Sequence, residues 1–447
     1  MKDQFDCRER STVLQEHDPS PGPGAKAQPV AEEALKVALQ LAAAQPEDFY
    51  LRELAPARLA RGASTGGCLP VQLPTCFVVR VTGRCNLACD YCFDAANGAP
   101  RGNLDFSTAR RIADYILSVP VDKPLISLIG GEPLLNWRVG RSFIEMLRTE
   151  GRARGKDPYF IIVTNGTPIT TATARELVRA DTTVQISIDG PARGRVSHRK
   201  YRNGADSYPE ALRGLRRLRD VDPAARVDAQ VVLTPGNVNL IGLARKLKAA
   251  GFRRIRFLHD TPGGEDRGGW AEEDIRALMQ ARTEFFPYFL RSALRGEPEV
   301  DMDFAMLVAS QPGGPGGLCG CARREVYIDS FGDLYPCPKL YGQTGVRFLG
   351  NCATVDPAAP LPFSASGLTP DPECGRCWAF ELCRGGCAFQ CQRCALKPSD
   401  SRDANQELWC DLLRAQFARS AIAYRFLKQF HPRGLESIRA IFFGESP

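Results

Sequence analysis

From Leu73 to about residue 300, short apolar runs alternate with amphipathic stretches, and no other feature of the chain constrains its fold as tightly. The runs are CFVVRV (76–81), LISLI (125–129), YFIIV (159–163), VQISI (184–188), VDAQVVL (227–233) and RIRFL (254–258). Each has the length and the β-branched or aromatic content of a strand. Helical spacing fills the gaps at 107–117, 139–152, 172–180, 208–219 and 238–250. Strands alternating with helices build a parallel sheet from βαβ units. Six units predict an α/β fold, a partial (β/α)6 barrel of TIM type rather than the closed eight-fold form. Functional side chains are then expected at the carboxyl ends of the strands.

The alternation stops near residue 300. QPGGPGG (311–317) reads as a linker or loop, and the chain up to Cys410 is rich in Cys, Gly and Pro. Such a region has little apolar core of its own, so bound metal is expected to staple it. From Leu412 onward the pattern is helical again. At the other end, residues 1–28 are polar and read as a disordered tail, and 29–62 hold one or two helices. The expected division is 1–72 for a tail and helical extension, 73–300 for the barrel, and 301–447 for a cysteine-rich domain with a terminal helix.

Composition excludes several classes. Hydrophobic residues make up 44% and charged residues 24%, an ordinary globular balance. No run of 18 apolar residues exists, so no membrane partner is expected. The start is too polar for a secretory signal, which predicts a cytoplasmic protein. The net charge of +7 (58 Lys and Arg against 51 Asp and Glu) suits solubility. No basic run carries interleaved aromatics, so no nucleic-acid partner is expected either.

Cysteine decides more. Seventeen cysteines in a cytoplasmic chain do not form a disulfide framework, because thiols stay reduced there. Metal is the remaining reason for them. With only four histidines, His17, His198, His259 and His431, the ligands must be mostly thiolate, which favours iron–sulfur or zinc.

The first cysteine group, RCNLACDYCF, follows the first strand directly and has the spacing Cys85-x3-Cys89-x2-Cys92. Three thiolates can fill three irons of a cube and leave the fourth open to chelate a small ligand. A zinc knuckle would want a fourth ligand, and none lies close by. With Tyr91 before its last cysteine, the group resembles the signature of the radical S-adenosyl-L-methionine (SAM) superfamily. The resemblance implies a 4Fe-4S cluster on Cys85, Cys89 and Cys92, with Tyr91 and Phe93 near the SAM adenine.

Further matches follow in barrel order. Gly130, Gly131, Glu132 and Pro133 (GGEP) close the second strand. Glycines let backbone approach a ligand closely, and this edge is expected to receive an ammonium group. It resembles the family motif for the methionine amino group. Thr164 and Asn165 end the third strand, and Ser187 and Asp189 the fourth; such polar strand tips line the SAM pocket in the family. In HRKYRNGADSY, Arg202 is the choice for the arginine that pairs with the SAM carboxylate in bidentate fashion, with Arg199 as its rival.

The C-terminal cysteines run Cys319, Cys321, Gly332-x4-Cys337, Cys374-x2-Cys377-x5-Cys383-x3-Cys387 and Cys410. This resembles the SPASM extension of radical SAM enzymes, which holds two auxiliary clusters. Carried over, Cys319, Cys321, Cys337 and Cys387 hold auxiliary cluster I, and Cys374, Cys377, Cys383 and Cys410 hold auxiliary cluster II, giving three 4Fe-4S clusters with the first. One residue separates Cys319 from Cys321, which leaves open that one of them stands idle. Cys391 and Cys394 are rivals of Cys410. Structural zinc is the alternative for the whole region. Cys352 reads as a spare, and Cys7, Cys68 and Cys76 belong to no motif.

The resemblance covers about residues 73–415. It implies reductive SAM cleavage to a 5′-deoxyadenosyl radical and hydrogen abstraction, with an electron donor such as flavodoxin or ferredoxin. The leading expectation is an oxidative side-chain cross-link, C–C or C–heteroatom, in a ribosomal precursor peptide. The alternatives are a sulfatase-maturase-like enzyme making formylglycine from Cys or Ser and, from another class, an iron–sulfur electron carrier. His259 and Asp260, ending the sixth strand, are the candidates to face substrate.

Overall fold

The computed structural model describes residues 35–40, 42, 73–96, 102–191, 197–259, 269–310, 320–321, 324–342, 348–359, 374, 376–383, 386–387, 389 and 404–443. The expected tail (1–28) lies outside the described residues. So do Cys7, Cys68, Asp260, Cys319, Cys391 and Cys394.

The six expected strands all form: β1 (Cys76–Thr82), β2 (Leu125–Gly130), β3 (Tyr159–Thr164), β4 (Thr183–Ser187), β5 (Val227–Leu233) and β6 (Ile255–His259). They pair in parallel, in sequence order. The crossovers are α1 (Phe106–Ser118), α2 (Trp137–Ala153), α3 (Thr171–Arg179), α4 (Tyr208–Val221) and α5 (Leu240–Ala249). Short polar side chains start several of these helices by accepting orphan N–H groups. Asp105 accepts from Thr108 N at 2.7 Å, Thr170 from Thr173 N at 3.1 Å and Asn239 from Gly242 N at 2.9 Å.

The sheet does not stop at the sixth unit. β7 (Glu325–Ile328) pairs in parallel with the free edge of β1, and β8 (Asp333–Tyr335) and β9 (Gly350–Asn351) follow antiparallel. The sheet order is β6-β5-β4-β3-β2-β1-β7-β8-β9. The sequence reading missed these three strands because each is only two to four residues long and they lie in a Gly-, Pro- and Cys-rich stretch. Sheet and core therefore run on across residue 300: Val326, Ile328, Leu334, Leu349 and Cys352 belong to the same apolar cluster as Phe77, Val79 and Val81. Helices α6 (Glu272–Leu294), α7 (Met302–Ala309), α8 (Ala404–Phe430) and α9 (Pro432–Phe443) complete that side. The buried Arg282–Asp301 ion pair ties α6 to the N-cap of α7.

Side chains alternate along β1. Phe77, Val79 and Val81 face the helices, while Val78, with Cys76 beside it, packs on Tyr327 and Tyr341 in a second cluster on the other face. Arg80, only 2% exposed, lies on this inner face with Tyr341 under its guanidinium at 5.1 Å. It pairs with Asp94 in the short helix Phe93–Ala96.

Candidate active site at the carboxyl end of the sheet

β1 runs straight into the cysteine loop. Cys85, Cys89 and Cys92 are half-buried, and their charges act on one another. Burial, then the charges of Glu132, Cys89 and Cys92, push the Cys85 thiol up to about 11, against a hydrogen bond from Leu87. Burial also raises Cys89, opposed by Arg199. Three thiolates this close are costly without a cation, and metal binding offsets that cost. Among the described residues, no three Cys, His, Asp or Glu side chains converge on a single ion site. Three thiolates can each take a different iron of a four-iron cube. The donor set fits a cube.

The backbone sets the loop. Thr82 Oγ1 accepts from Arg84 N at 3.1 Å, Leu87 N donates to Cys85 Sγ at 3.4 Å, and Cys92 N donates to Cys89 O at 3.2 Å. GGEP locks it from the neighbouring strand: Gly131 N donates to Thr82 O and Glu132 N to Arg84 O, both at 2.8 Å. The glycines are required by this contact. Gly130 has φ +149°, and a Cβ there would stand 2.2 Å from Thr82 O; one on Gly131 would stand 2.3 Å from Arg84 O. The close approach anticipated for a ligand is thus made first by the chain itself.

The Glu132 carboxylate is not part of an exposed edge. It is fully buried, and burial raises its pKa against donors that favour the charged form. It accepts from Thr164 Oγ1 at 2.7 Å, Asn165 N at 2.7 Å and Leu134 N at 3.1 Å. Pro133 is buried at the start of the 3-10 turn that Glu132 caps. The half-exposed backbone of Gly130 and Gly131 is what remains to face a ligand. Thr164 and Asn165 hold Glu132, and Asn165 Nδ2 also donates to Asn86 Oδ1 at 2.9 Å inside the cysteine loop. Asn86, which the motif reading passed over, in turn donates to Thr167 Oγ1 at 2.8 Å.

Asp189 organises the next tip. It accepts from Tyr91 Oη and, at 2.9 Å, from Val232 N on β5, and it pairs with Arg199 Nε at 3.5 Å. The Arg199 guanidinium lies 5.5 Å over the Tyr91 ring and 3.9 Å from Cys89 Sγ. Arg202, the residue chosen from sequence, is exposed in the turn after Tyr201, whereas its rival Arg199 faces Asp189 and Cys89. The backbone decides this: the strip through Lys200 and Tyr201 alternates, sending Arg199 inward and Arg202 outward. Ser187 is 6% exposed at the end of β4, and Phe93 is half-buried behind Cys92. A cavity of about 240 Å³ opens beside these residues, lined by Asp189, Arg199, Ser207, Tyr208, Pro235 and Asn237.

His259 ends β6, stacked on Trp409 at 4.7 Å and 26°. Burial, with the charges of Lys339 and Arg282, lowers its pKa to about 3. A neutral imidazole so reluctant to take a proton suits packing more than general base catalysis. Trp409 adjoins Cys410, whose charge acts together with those of Cys374 and Cys377 on Cys383. Burial and these three neighbours push Cys383 up to about 12. Burial pushes Cys410 up to about 11 against the pull of Arg414, which also hydrogen-bonds Cys377. The four cysteines assigned to the last group thus gather at the start of α8. Of the other auxiliary group, Cys337 and Cys387 are half-buried, and Cys321 Sγ donates to Pro336 O at 3.1 Å, beside Cys337. Cys352 is buried in the apolar core and Cys76 sits in β1, where burial raises its thiol.

The strand order, the cysteine loop and the GGEP lock define a class. Residues 79–237 match the radical SAM superfamily, so the chain carries a radical SAM domain, and it is an enzyme. It is 28% identical over 326 residues to the mycofactocin maturase MftC of Mycobacterium tuberculosis, spanning 70% of this chain and 78% of that protein. It is 25% identical over 356 residues to the cysteine-type anaerobic sulfatase-maturating enzyme of Clostridium perfringens, spanning 74% and 92%. The solved structure of anSMEcpe with bound AdoMet and Cp18Cys peptide superposes with a TM-score of 0.62 at 20% identity, over 82% of this chain and 99% of that one; it shows the shared fold. No described helix is long and apolar enough to cross a membrane.

Proposed function

We propose that the chain is a peptide maturase that oxidises side chains of a precursor peptide, with Cys85, Cys89 and Cys92 holding the cluster at which SAM binds. The observation that carries the site is the interlock of the cysteine loop with GGEP through Thr82 O and Arg84 O. Bound there, SAM and a reduced 4Fe-4S cluster supply a radical able to take a hydrogen atom from an unactivated carbon. The chain's own part is placement and exclusion of water. In this reading the Gly130–Gly131 backbone faces the methionine amino group, Arg199 the carboxylate, and Tyr91, Phe93, Ser187 and Asp189 the nucleoside.

Residues 301–447 are proposed as a SPASM domain following the barrel (73–300) and the N-terminal extension (1–72). Two auxiliary clusters bind there, one on Cys321, Cys337 and Cys387 with Cys319, the other on Cys374, Cys377, Cys383 and Cys410. Support comes from the mutual action of the last four thiols and from register. Cys337 lies two residues beyond the Tyr327–Tyr335 pair, toward the amino end of β7, whereas the Cys85 loop leaves the carboxyl end of β1. β1 is seven residues long, so its ends stand roughly 20 Å apart at about 3.3 Å per residue. The residues that would hold the first cluster and those that would hold an auxiliary cluster, able to take up an electron from an oxidised substrate, then stand at opposite ends of one strand.

A cross-link between side chains, made in the cytoplasm with electrons from a carrier protein, is the reading preferred here; MftC, a maturase, supports it. The similarity to a sulfatase-maturating enzyme keeps formylglycine formation as the second reading. The test is to incubate the reconstituted protein with SAM, dithionite and either the precursor peptide encoded beside its gene or a Cys- or Ser-containing sulfatase peptide. Loss of two hydrogens with side chains retained supports the cross-linker; an aldehyde on the sulfatase peptide replaces it with the second reading.

A further inference from the structure

The face of the sheet turned away from the helices is only partly packed. Along β2–β6 the residues that face the helices are buried in the main core, Ile162, Ile186, Val231 and Phe257 among them. Their alternates point into the barrel. In a closed barrel such inward side chains pack against one another in layers. Here Ile161, Val163, Val232 and Leu258 are half-buried and belong to neither apolar cluster. Four aliphatic side chains thus line a lumen with no core of their own.

The polar groups on this face divide into two kinds. The charged residues within β1–β6 are Arg80, Asp228 and Arg256, and each is paired: Arg80 with Asp94, Asp228 with Arg253 at 3.2 Å and Arg256 with Asp303 at 2.9 Å. On β7 the charges of Arg256 and Arg324 act on Glu325. The amides differ. Gln185 on β4 is only 5% exposed, and Gln230 on β5 is half-buried. Among the described residues, neither side-chain amide has a hydrogen-bond partner. Leaving a buried amide unpaired is costly, which marks Gln185 as a group kept for a ligand. Gln185 stands opposite Asp228, and Ser187 opposite Gln230, so the two glutamines are diagonal neighbours. Their backbones lie roughly 8 Å apart, at about 4.8 Å between strands and about 3.3 Å per residue. Alternate residues of an extended peptide repeat at about 6.6 Å, within reach of two flexible side chains at that separation.

We propose that Gln185 and Gln230 are specificity-determining residues of the barrel: they hold the backbone of an extended, uncharged stretch of the substrate peptide, whose aliphatic side chain lies against Ile161, Val163, Val232 and Leu258. The proposal rests on the reading of the chain as a peptide maturase and narrows its substrate. A glutamine amide carries an acceptor and donors in one plane, so it matches the N–H and C=O of a peptide unit. A carboxylate or ammonium would enter a lumen whose own charges are already paired, and would lose hydration without gaining a partner. Gln185 lies two residues before Ser187 on the same face of β4. A peptide held there lies directly beneath the residues proposed to face the nucleoside.

The experiment measures binding of capped, tritium-labelled heptapeptides to the reconstituted full chain by equilibrium dialysis. The probes are acetyl-Gly-Ala-Gly-Val-Gly-Ala-Gly-amide, its counterparts with Asp or Lys in the centre, and the valine peptide N-methylated on the two glycines flanking the centre. The wild type should bind the valine peptide about tenfold or more tightly than either charged peptide. N-methylation should weaken that binding about tenfold. Gln185→Leu/Gln230→Leu should bind the valine peptide about tenfold more weakly and become indifferent to N-methylation, a coupling that a merely structural role would not produce. Gln185→Leu alone should move the same way by less. Equal binding of the three central side chains by the wild type, or no binding, would overturn the proposal without recourse to any variant. So would an N-methylation penalty undiminished in the double variant. 5′-Deoxyadenosine formation by the wild type with SAM and dithionite is measured in parallel. Its failure would overturn the cluster reading, and the lumen proposal with it; its success alongside unselective peptide binding would overturn the lumen proposal alone.

Discussion

The cysteines at the two ends of the β1–β7 pair are held in opposite ways. At the carboxyl end the scaffold comes first: a buried strand, two glycines against its last carbonyls and a capped carboxylate hold the Cys85–Cys92 loop through backbone contacts. Beyond the amino end of β7, regular structure among the described residues thins to short strands and short helical pieces such as Phe380–Cys383 before α8 begins. There, Cys383 and Cys410 are pushed up by burial and by the charges of their neighbours Cys374 and Cys377. On the proposed reading, the site built on strands would receive its metal, whereas the site built on cysteines would depend on its metal to fold.

The sharpest way to break this contrast is to remove ligands from the scaffolded end. Cys85→Ala with Cys89→Ala and Cys92→Ala should abolish 5′-deoxyadenosine formation, measured chromatographically, while far-UV circular dichroism stays near wild type. Next in size is Gly131→Ala. Its Cβ meets Arg84 O at 2.3 Å and Cys85 Cβ at 3.1 Å, and neither can yield without moving the loop. We expect a loss of about 1–3 kcal/mol in unfolding free energy and a fall in iron bound by the first group. Cys377→Ala should lose the iron of one auxiliary cluster and partly keep SAM cleavage, uncoupled from peptide oxidation, with protease sensitivity rising in the C-terminal region and not in the barrel. Iron content equal to that of the wild type would sink the auxiliary assignment.

The smallest effect concerns His259. Its folded pKa of about 3 lies below the ordinary histidine value of 6.5, so the unfolded chain binds the extra proton between them. This group therefore costs stability as pH falls from about 6.5 toward 3 and is silent above. The ¹⁵N chemical shifts of its imidazole at pH 5 should report the neutral form, and a protonated ring there would break the packing assignment.

The barrel was legible because long strands and amphipathic helices announce themselves by period, as in 227–233, whose expected bounds are those of β5. β7 was not, because four residues, EVYI, carry little period, and only the unpaired edge of β1 explains why they become a strand. At the candidate site, spacing located the cysteine loop and GGEP on strand ends. It offered both Arg199 and Arg202, three residues apart, and which of them meets Asp189 depends on which face of a short backbone strip carries it. Nor could it show that Glu132 spends its carboxylate on Thr164 and Asn165, since that contact joins residues more than thirty positions apart.

The pairing of β7 with β1 bears on how this enzyme can be dissected. A fragment ending near residue 300 would strip β1 of one neighbour and leave its backbone edge from Cys76 to Val79 on the β7 side unpaired along an apolar strand. Such an edge templates self-association. Expressed alone, the barrel half is expected to aggregate, and supplying residues 301–447 in trans should rescue it by strand complementation.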